Sequence, residues 1–302
     1  MNNVTLKFDN QIDSCENIFA GITSIIEIDL SKFDASKVVS MFQMFCNCIN
    51  MKKIILGNIN TSLVKNMQSM FTNCQNLESI DRLDFDTLSV TTMRNMFTGC
   101  QSLTSINVEF TPQNVEDMRD IFANCFNLIS IKAPNFGFTK LKNVRGLFFH
   151  DYVLKYVDLP NFEFPDATTI VSMFQTCNSI VFINLYSMKI KNGISIGSNV
   201  FSPTYNNLKI CINDGNTRNI LNQYNSKFDC SHKCFEENIK ICLKDNQCVA
   251  NCDECDYKFI YDRLCYDNCP KNTYPIFNEV LCLNEKPEGY YLDSLTNYKK
   301  ML

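Results

Sequence analysis

The sequence predicts an α/β repeat solenoid, a parallel sheet with short helices, followed by a small disulfide-rich module in the C-terminal part of the chain. Three observations carry that reading. A phenylalanine recurs at Phe19, Phe45, Phe71, Phe97, Phe122, Phe148, Phe174 and Phe201, with spacings of 26, 26, 26, 25, 26, 26 and 27 residues. Around each of these, the apolar positions keep helical period before the ring and alternate after it. The 17 cysteines among 302 residues divide unevenly, seven before residue 205 (Cys15, Cys46, Cys48, Cys74, Cys100, Cys125, Cys177) and ten from Cys211 to Cys282. A period this regular marks units that cannot bury an apolar face alone and must stack on their neighbours.

Each element of the repeat follows from its columns. An apolar residue precedes every phenylalanine (Ile18, Met44, Met70, Met96, Ile121, Leu147, Met173, Val200), and others stand four before it (Met41, Met67, Met93, Met118, Val144, Ile170) and seven before it (Val38, Val64, Val90, Val115, Leu141). Apolar positions at i, i+3, i+4 and i+7 lie on one helical face, so a short helix is expected in each unit. Asn47, Asn73, Gly99 and Asn124, two residues after the ring, are types that tolerate the left-handed backbone that ends a helix. His150 stands in that same column, where a capping role is expected rather than catalysis. Further on, sets such as Leu103, Ile106, Val108 and Leu154, Val157, Leu159 end in the alternation of a short strand. A trailing apolar residue (Phe33, Ile59, Phe85, Phe136, Phe162, Met188) closes the unit. The units divide the chain into a solenoid of about eight repeats at 1–213, a turn-rich connector at 214–229 and a cysteine-rich module at 230–302.

The L-x-x-I-x-L pattern with its trailing apolar residue is that of leucine-rich repeats. The string from Met67 to Ile80, matched by Met93 to Ile106, closely resembles the BspA-like surface-protein repeat found in mycoplasma, other bacterial and protist proteins. That resemblance covers roughly residues 12–213. It implies a leucine-rich-repeat-like solenoid in a cell-surface or secreted setting, with adhesion as its role. The sixth copy departs from the pattern because Asp151 replaces the cysteine.

The cysteines call for two explanations. Cys48, Cys74, Cys100, Cys125 and Cys177 each lie three residues after a ring and are expected as small buried apolar side chains. The second region spaces Cys230, Cys234, Cys242, Cys248, Cys252, Cys255, Cys265, Cys269 and Cys282 with few aliphatics between them, too little for a core without crosslinks. Disulfides are therefore expected among these nine and Cys211, which is placed to tie the end of the solenoid to the following segment. Tetrahedral zinc on Cys252, Cys255, Cys265 and Cys269, with His232 as a spare ligand, is the alternative for this region. The run from Cys265 to Pro275 and the later Pro287 to Tyr291 resemble furin-like, growth-factor-receptor cysteine-rich modules of protist surface proteins, a resemblance that implies crosslinks.

Several function classes are disfavoured. The formal charge of −4, with no lysine or arginine cluster, offers no stripe for nucleic-acid phosphates. No run approaches the ~18 apolar residues of a membrane span, and the first residues lack the flank and apolar stretch of a secretory signal. That start implies either a cytosolic protein or missing ends. His150 and His232 are the two imidazoles, neither in a nucleophile motif, and no Walker loop, G-x-S-x-G or H-E-x-x-H occurs. No catalytic residue, metal or cofactor is expected. A non-catalytic binding or adhesion protein is expected instead, holding a protein or glycan on the outward strand positions eight and ten residues after each ring. Those positions supply Asp29, Asp81, Lys132, Asp158 and Asn184 alongside an aromatic pair, Tyr156 and Phe182, with Tyr186 beside them. Burial of that pair beneath the cysteine-rich module is the competing reading. An intracellular repeat scaffold with a zinc-binding tail is the alternative function. Asn3 and Asn60 begin N-x-[ST] glycosylation acceptors, which matter if the chain is secreted.

Overall fold

The computed structural model describes residues 11–80, 83, 85–108, 112–197, 200–201, 208–222, 228, 230, 240–242, 248–249, 251–255, 259–261, 264–266, 274–276, 281–283, 290–293 and 297–300. It divides the chain into two compact units, Met1–Phe228 and Asp229–Leu302. We number the coils of the first unit 1 to 8 by their phenylalanines.

The first unit is a parallel β-solenoid. Each coil contributes one strand: β1 Glu27–Asp29, β2 Lys53–Ile55, β3 Ser79–Ile80, β4 Ser105–Asn107, β5 Ser130–Lys132, β6 Tyr156–Asp158, β7 Phe182–Asn184 and β8 Lys209–Cys211. They form two parallel sheets in chain order, β1-β2-β3 and β4-β5-β6-β7-β8. Register is in step with the repeat, so that Ile106, Ile131, Val157, Ile183 and Ile210 face one another in successive strands.

The expected helices are absent from the described coils, and backbone hydrogen bonding explains why. In coil 2 the amides of Met41, Gln43, Phe45 and Asn47 donate to the carbonyls of Asn66, Gln68, Met70 and Thr72 in coil 3, at 2.8–3.0 Å. The amides between them, Met44, Cys46 and Cys48, donate three residues back within coil 2, at 3.1–3.2 Å. An α-helix would send all of them four residues back. Left-handed residues bracket the ring on both sides: Gln43 (φ 52°) and Asn47 (φ 61°) in coil 2, Ser69 and Asn73 in coil 3, Asn95 and Gly99 in coil 4. The segment is thus a chain of tight turns that lends alternate donors to its neighbour. His150 takes the left-handed place in coil 6 with φ 66°, as its column predicts.

A second column fastens the turns. Ser14, Ser40, Asn66, Thr92, Asp117, Asn143, Thr169 and Ser195 pair in a continuous series of single parallel bridges. Side-chain oxygens of this column accept the amide two residues on, as Asn66 does from Gln68 at 2.9 Å and Asp117 from Arg119 at 3.0 Å. Such local bonds hold a turn against regular helix.

The core sits inside the coils. Rings Phe19 to Phe201 form one stack with centroids 5.2–5.7 Å apart and planes 4–13° from parallel. The methionine and valine columns pack around it, buried. One interior column changes size along the stack, from Ala35, Thr61 and Thr87 to Phe138 and Phe164. Phe136, Phe138, Phe162 and Phe164 there meet edge to face. The stretch expected as a connector begins with α1, Gly215–Leu221, capped by the Asp214 carboxylate on the Thr217 amide. Thr217 Oγ1 in turn accepts the Ile190 amide at 3.0 Å, so α1 closes the last coil.

The described residues of the second unit are mostly short β-strands, with one 3-10 helix at Cys252–Cys255. Strands β9 Lys240–Cys242, β10 Cys248–Val249, β11 Phe259–Tyr261, β12 Leu264–Tyr266, β13 Tyr274–Ile276 and β14 Leu281–Leu283 form one sheet in the order β10-β9-β12-β11-β14-β13. β15 Tyr290–Asp293 and β16 Asn297–Lys300 make a separate antiparallel pair. Cys242, Val249, Cys252 and Cys265 form a small buried cluster. No helix among the described residues is long and apolar enough to cross a membrane.

Removing one ring from the middle of the stack leaves a cavity between two others. Phe97→Ala is expected to destabilise the first unit by about 3–5 kcal/mol, read from the denaturant midpoint. Far-UV circular dichroism is expected to lack a strong helical double minimum.

Candidate binding surfaces and the interior thiol ladder

The outward strand positions change character along the sheet. Glu27, Asp29 and Lys53 are exposed. Two hydrogen bonds from Ser31 hold the Asp29 carboxyl below the usual carboxylate range. Further along, Lys132 and Asn184 are half-buried and Ser130 is buried. Asp81 lies outside the described residues.

The expected exposed aromatic pair is not met. Tyr156 is 0% and Phe182 2% exposed. Their strands are in register, so the rings lie face to face with centroids 4.8 Å apart. Asp158 is also buried and is spoken for: Oδ2 accepts the Tyr156 hydroxyl at 2.9 Å and Oδ1 accepts the Asn184 side-chain Nδ2 at 2.8 Å. Alternation placed these residues outward on the strand, but it cannot say whether that side meets water. Tyr186 is 47% exposed and remains available.

A surface that the sequence reading missed lies on the turns after the rings. In coils 3, 4 and 7 the fourth residue after the ring is Gln75, Gln101 or Asn178; in coils 5 and 6 it is Phe126 or Tyr152. Phe126 and Tyr152 stack at 5.5 Å, His150 stacks on Tyr152 at 5.7 Å, and Phe149 stacks on His150 at 3.7 Å. Tyr152 is 41% exposed, and the other three are half-buried. Four rings cluster in two neighbouring coils, in columns where Ile49 of coil 2 is the other large apolar residue, and that clustering was readable from the sequence. A mixed charged row lies before the rings, where Arg94, Arg119 and Arg145 occupy one column. Arg119 is engaged by Asp117 at 2.5 Å, and burial raises the nearby Asp120 carboxyl against the pull of these arginines.

Inside, the cysteine column forms a hydrogen-bonded ladder. The thiols of Cys48, Cys74, Cys100, Cys125 and Cys177 donate to the carbonyls of Phe19, Phe45, Phe71, Phe97 and Phe148, at 2.9–3.2 Å. All seven cysteines of coils 1 to 7 are free and buried. Burial raises their thiols, Cys15 to about 11 and Cys100, Cys125 and Cys177 well above the ordinary value. Asp151 occupies the ladder in coil 6, fully buried. Its Oδ1 accepts the Cys125 amide at 2.8 Å. Oδ2 has no hydrogen-bond partner among the described residues. Burial pushes this carboxyl well above the ordinary aspartate range.

The other predicted positions fall as follows. Cys252 and Cys265 are joined by a disulfide, with Cα atoms 5.3 Å apart. Two of the four sulfurs proposed for zinc are thereby committed, and no metal-holding group occurs among the described residues. Cys211, Cys230, Cys242 and Cys248 are also disulfide-bonded. Asn3, Cys234, His232 and Cys269, with the side chains of Cys255 and Cys282, lie outside the described residues. Asn60 is exposed, and its Oδ1 accepts both the amide and the hydroxyl of Ser62, at 3.1 and 2.7 Å.

Comparison with known proteins gives one family and one structure. The family described as "Mycoplasma protein of unknown function, DUF285" matches residues 13–133 and 108–210. A solved leucine-rich repeat protein from Bacteroides ovatus is 21% identical over 65% of this chain, with a TM-score of 0.32. The aligned part spans 57% of that protein's length. No curated protein matches.

With every coil thiol buried and shifted upward, a thiolate-selective disulfide reagent at pH 8 is expected to modify none of the seven in the native protein. Under denaturing, non-reducing conditions it is expected to modify all seven.

Proposed function

We propose, from the premise that this chain belongs to the DUF285 family, that it is a non-catalytic cell-surface or secreted protein whose repeat surface holds a protein partner in adhesion. One observation carries the reading: the ring column holds phenylalanine coil after coil, while surface columns depart from theirs locally. Phe126, Phe149, His150 and Tyr152 concentrate such departures in coils 5 and 6, and the core gains nothing from an exposed ring. Tyrosine anchors are enriched where interfaces concentrate their energy. Asp29, Lys132, Asn184 and Tyr186 form the secondary surface of the same reading. The Cys252–Cys265 crosslink supports an oxidising compartment, because cytosolic thiols are kept reduced. It also weighs against the intracellular zinc-tailed scaffold. In that setting Asn60 is an accessible acceptor for glycosylation.

Two experiments test the proposal. Purified protein is expected to bind intact cells, with Tyr152→Ala and Phe126→Ala together weakening binding at least about tenfold and leaving the unfolding midpoint within error. Unchanged affinity for both variants and for Tyr186→Ala removes these surfaces from the reading. Alkylation without reduction of protein from its own host is expected to leave Cys252 and Cys265 unmodified, with no bound metal. Alkylation only after chelation, with zinc found, returns the protein to the cytosol.

A further inference from the structure

The ladder of coils 1 to 7 contains two mismatched groups that answer each other. In coils 1 to 4 each ring carbonyl receives donors from two directions. Phe45, Phe71 and Phe97 accept the amides of Cys48, Cys74 and Cys100 at 3.1 Å. The same carbonyls accept the thiols of Cys74, Cys100 and Cys125 from the next coil. Phe122 is the exception. Its local donor, the Cys125 amide, is diverted to Asp151 Oδ1. Its donor from the next coil should come from residue 151, where a carboxyl replaces the thiol. The Phe122 carbonyl thus lacks both donors its counterparts have, while Asp151 Oδ2 is buried without a partner. A single proton on Oδ2 satisfies both.

We propose that Asp151 is a proton-dependent latch between coils 5 and 6. Its neutral carboxylic acid donates through Oδ2 to the Phe122 carbonyl and accepts the Cys125 amide through Oδ1. Loss of the proton places a charge in the ladder and opens the stack at that level. No lysine, arginine or histidine bonds to the carboxyl among the described residues. The titratable groups that face it are thiols, Cys125 from coil 5 and Cys177 from coil 7, whose own ionisation burial and a charge on Asp151 both oppose. His150, next in sequence, has its ring against Phe149 and Tyr152. An unpaired buried carboxylate is expensive whereas its neutral form is not.

The sign of the effect follows from proton counting. Unfolded Asp151 ionises near an ordinary pKa of about 3.9, and folded Asp151 keeps its proton to higher pH. The folded state then binds more protons, so stability falls as pH rises from about 4. The first unit is held tighter in acid, the reverse of a carboxylate paired with a cation.

The test compares the full-length protein with Asp151→Asn, whose amide supplies the same donor and acceptor without a titration. The unfolding equilibrium constant of the wild type is expected to rise about tenfold per pH unit relative to the variant, until the folded carboxyl ionises. Infrared difference spectra at neutral pH are expected to show a protonated carboxyl band that Asp151→Asn lacks. Alkylation of Cys125 and Cys177 in the wild type is expected to speed up with pH more than in the variant. Cys48 and Cys74 are expected to show no such difference. Parallel pH profiles, or a wild-type spectrum without that band, overturn the proposal. If Asp151→Asn does not fold, Asp151→Cys, which restores the ladder, takes its place in the same comparison with the same outcomes.

Discussion

Backbone amides in this solenoid are shared between coils in near alternation, and most of the architecture follows from that division. Through each ring-bearing turn, one donor closes a bond three residues back and the next crosses to the neighbouring coil. A coil removed from its neighbours would leave half of these groups unsatisfied, at a cost comparable to losing the bonds themselves. No coil is therefore a folding unit. The left-handed residues two before and two after the rings of coils 1 to 7 are what turn successive amides in opposite directions. Asn, Gly and Ser recur there because bulky or branched side chains resist that conformation. The phenylalanine stack is the apolar counterpart, since each ring has neighbouring rings above and below it rather than a pocket of its own.

Much of this was legible in the sequence, and the failures are instructive. The period, the register of the strands and the left-handed residues after the ring could be read because each leaves a column of like residues. The helix was misread because turns closed three residues back bury apolar side chains at nearly the same intervals as an α-helix. The distinguishing signal was the polar column Ser40, Asn66, Thr92, Asp117, Asn143, Thr169, whose short oxygens hold turns open to their neighbours. Tyr156 and Phe182 show a different limit. Alternation assigns a side chain to one side of a sheet, but not whether that side meets water. Asp151 was visible as a departure from the cysteine column. Its consequence was not, because the orphaned Phe122 carbonyl is a property of packing.

The two units use one amino acid for opposite purposes. In the coils, cysteine is a compact apolar filler with a single weak donor, and burial suppresses the thiolate that redox and metal chemistry require. In the second unit the same side chain replaces a core that short strands cannot provide, as the Cys252–Cys265 crosslink inside the small buried cluster shows. Counting cysteines across the whole chain would have merged these roles. Cys211, at the end of β8, belongs chemically with the second group although it lies in the first unit.

Constant interior columns also bear on how a chain of this kind changes over generations. Every coil offers a phenylalanine ring to its neighbours, so duplicating or losing about 26 residues of coding sequence rejoins ring to ring. Copy number can drift through unequal recombination without a new core having to be invented, and the protein lengthens or shortens along its own axis. Coil 6 resists that freedom. Its carboxyl fits one neighbour's diverted amide, and its rings complete a row begun in coil 5, so moving either coil alone would break both contacts.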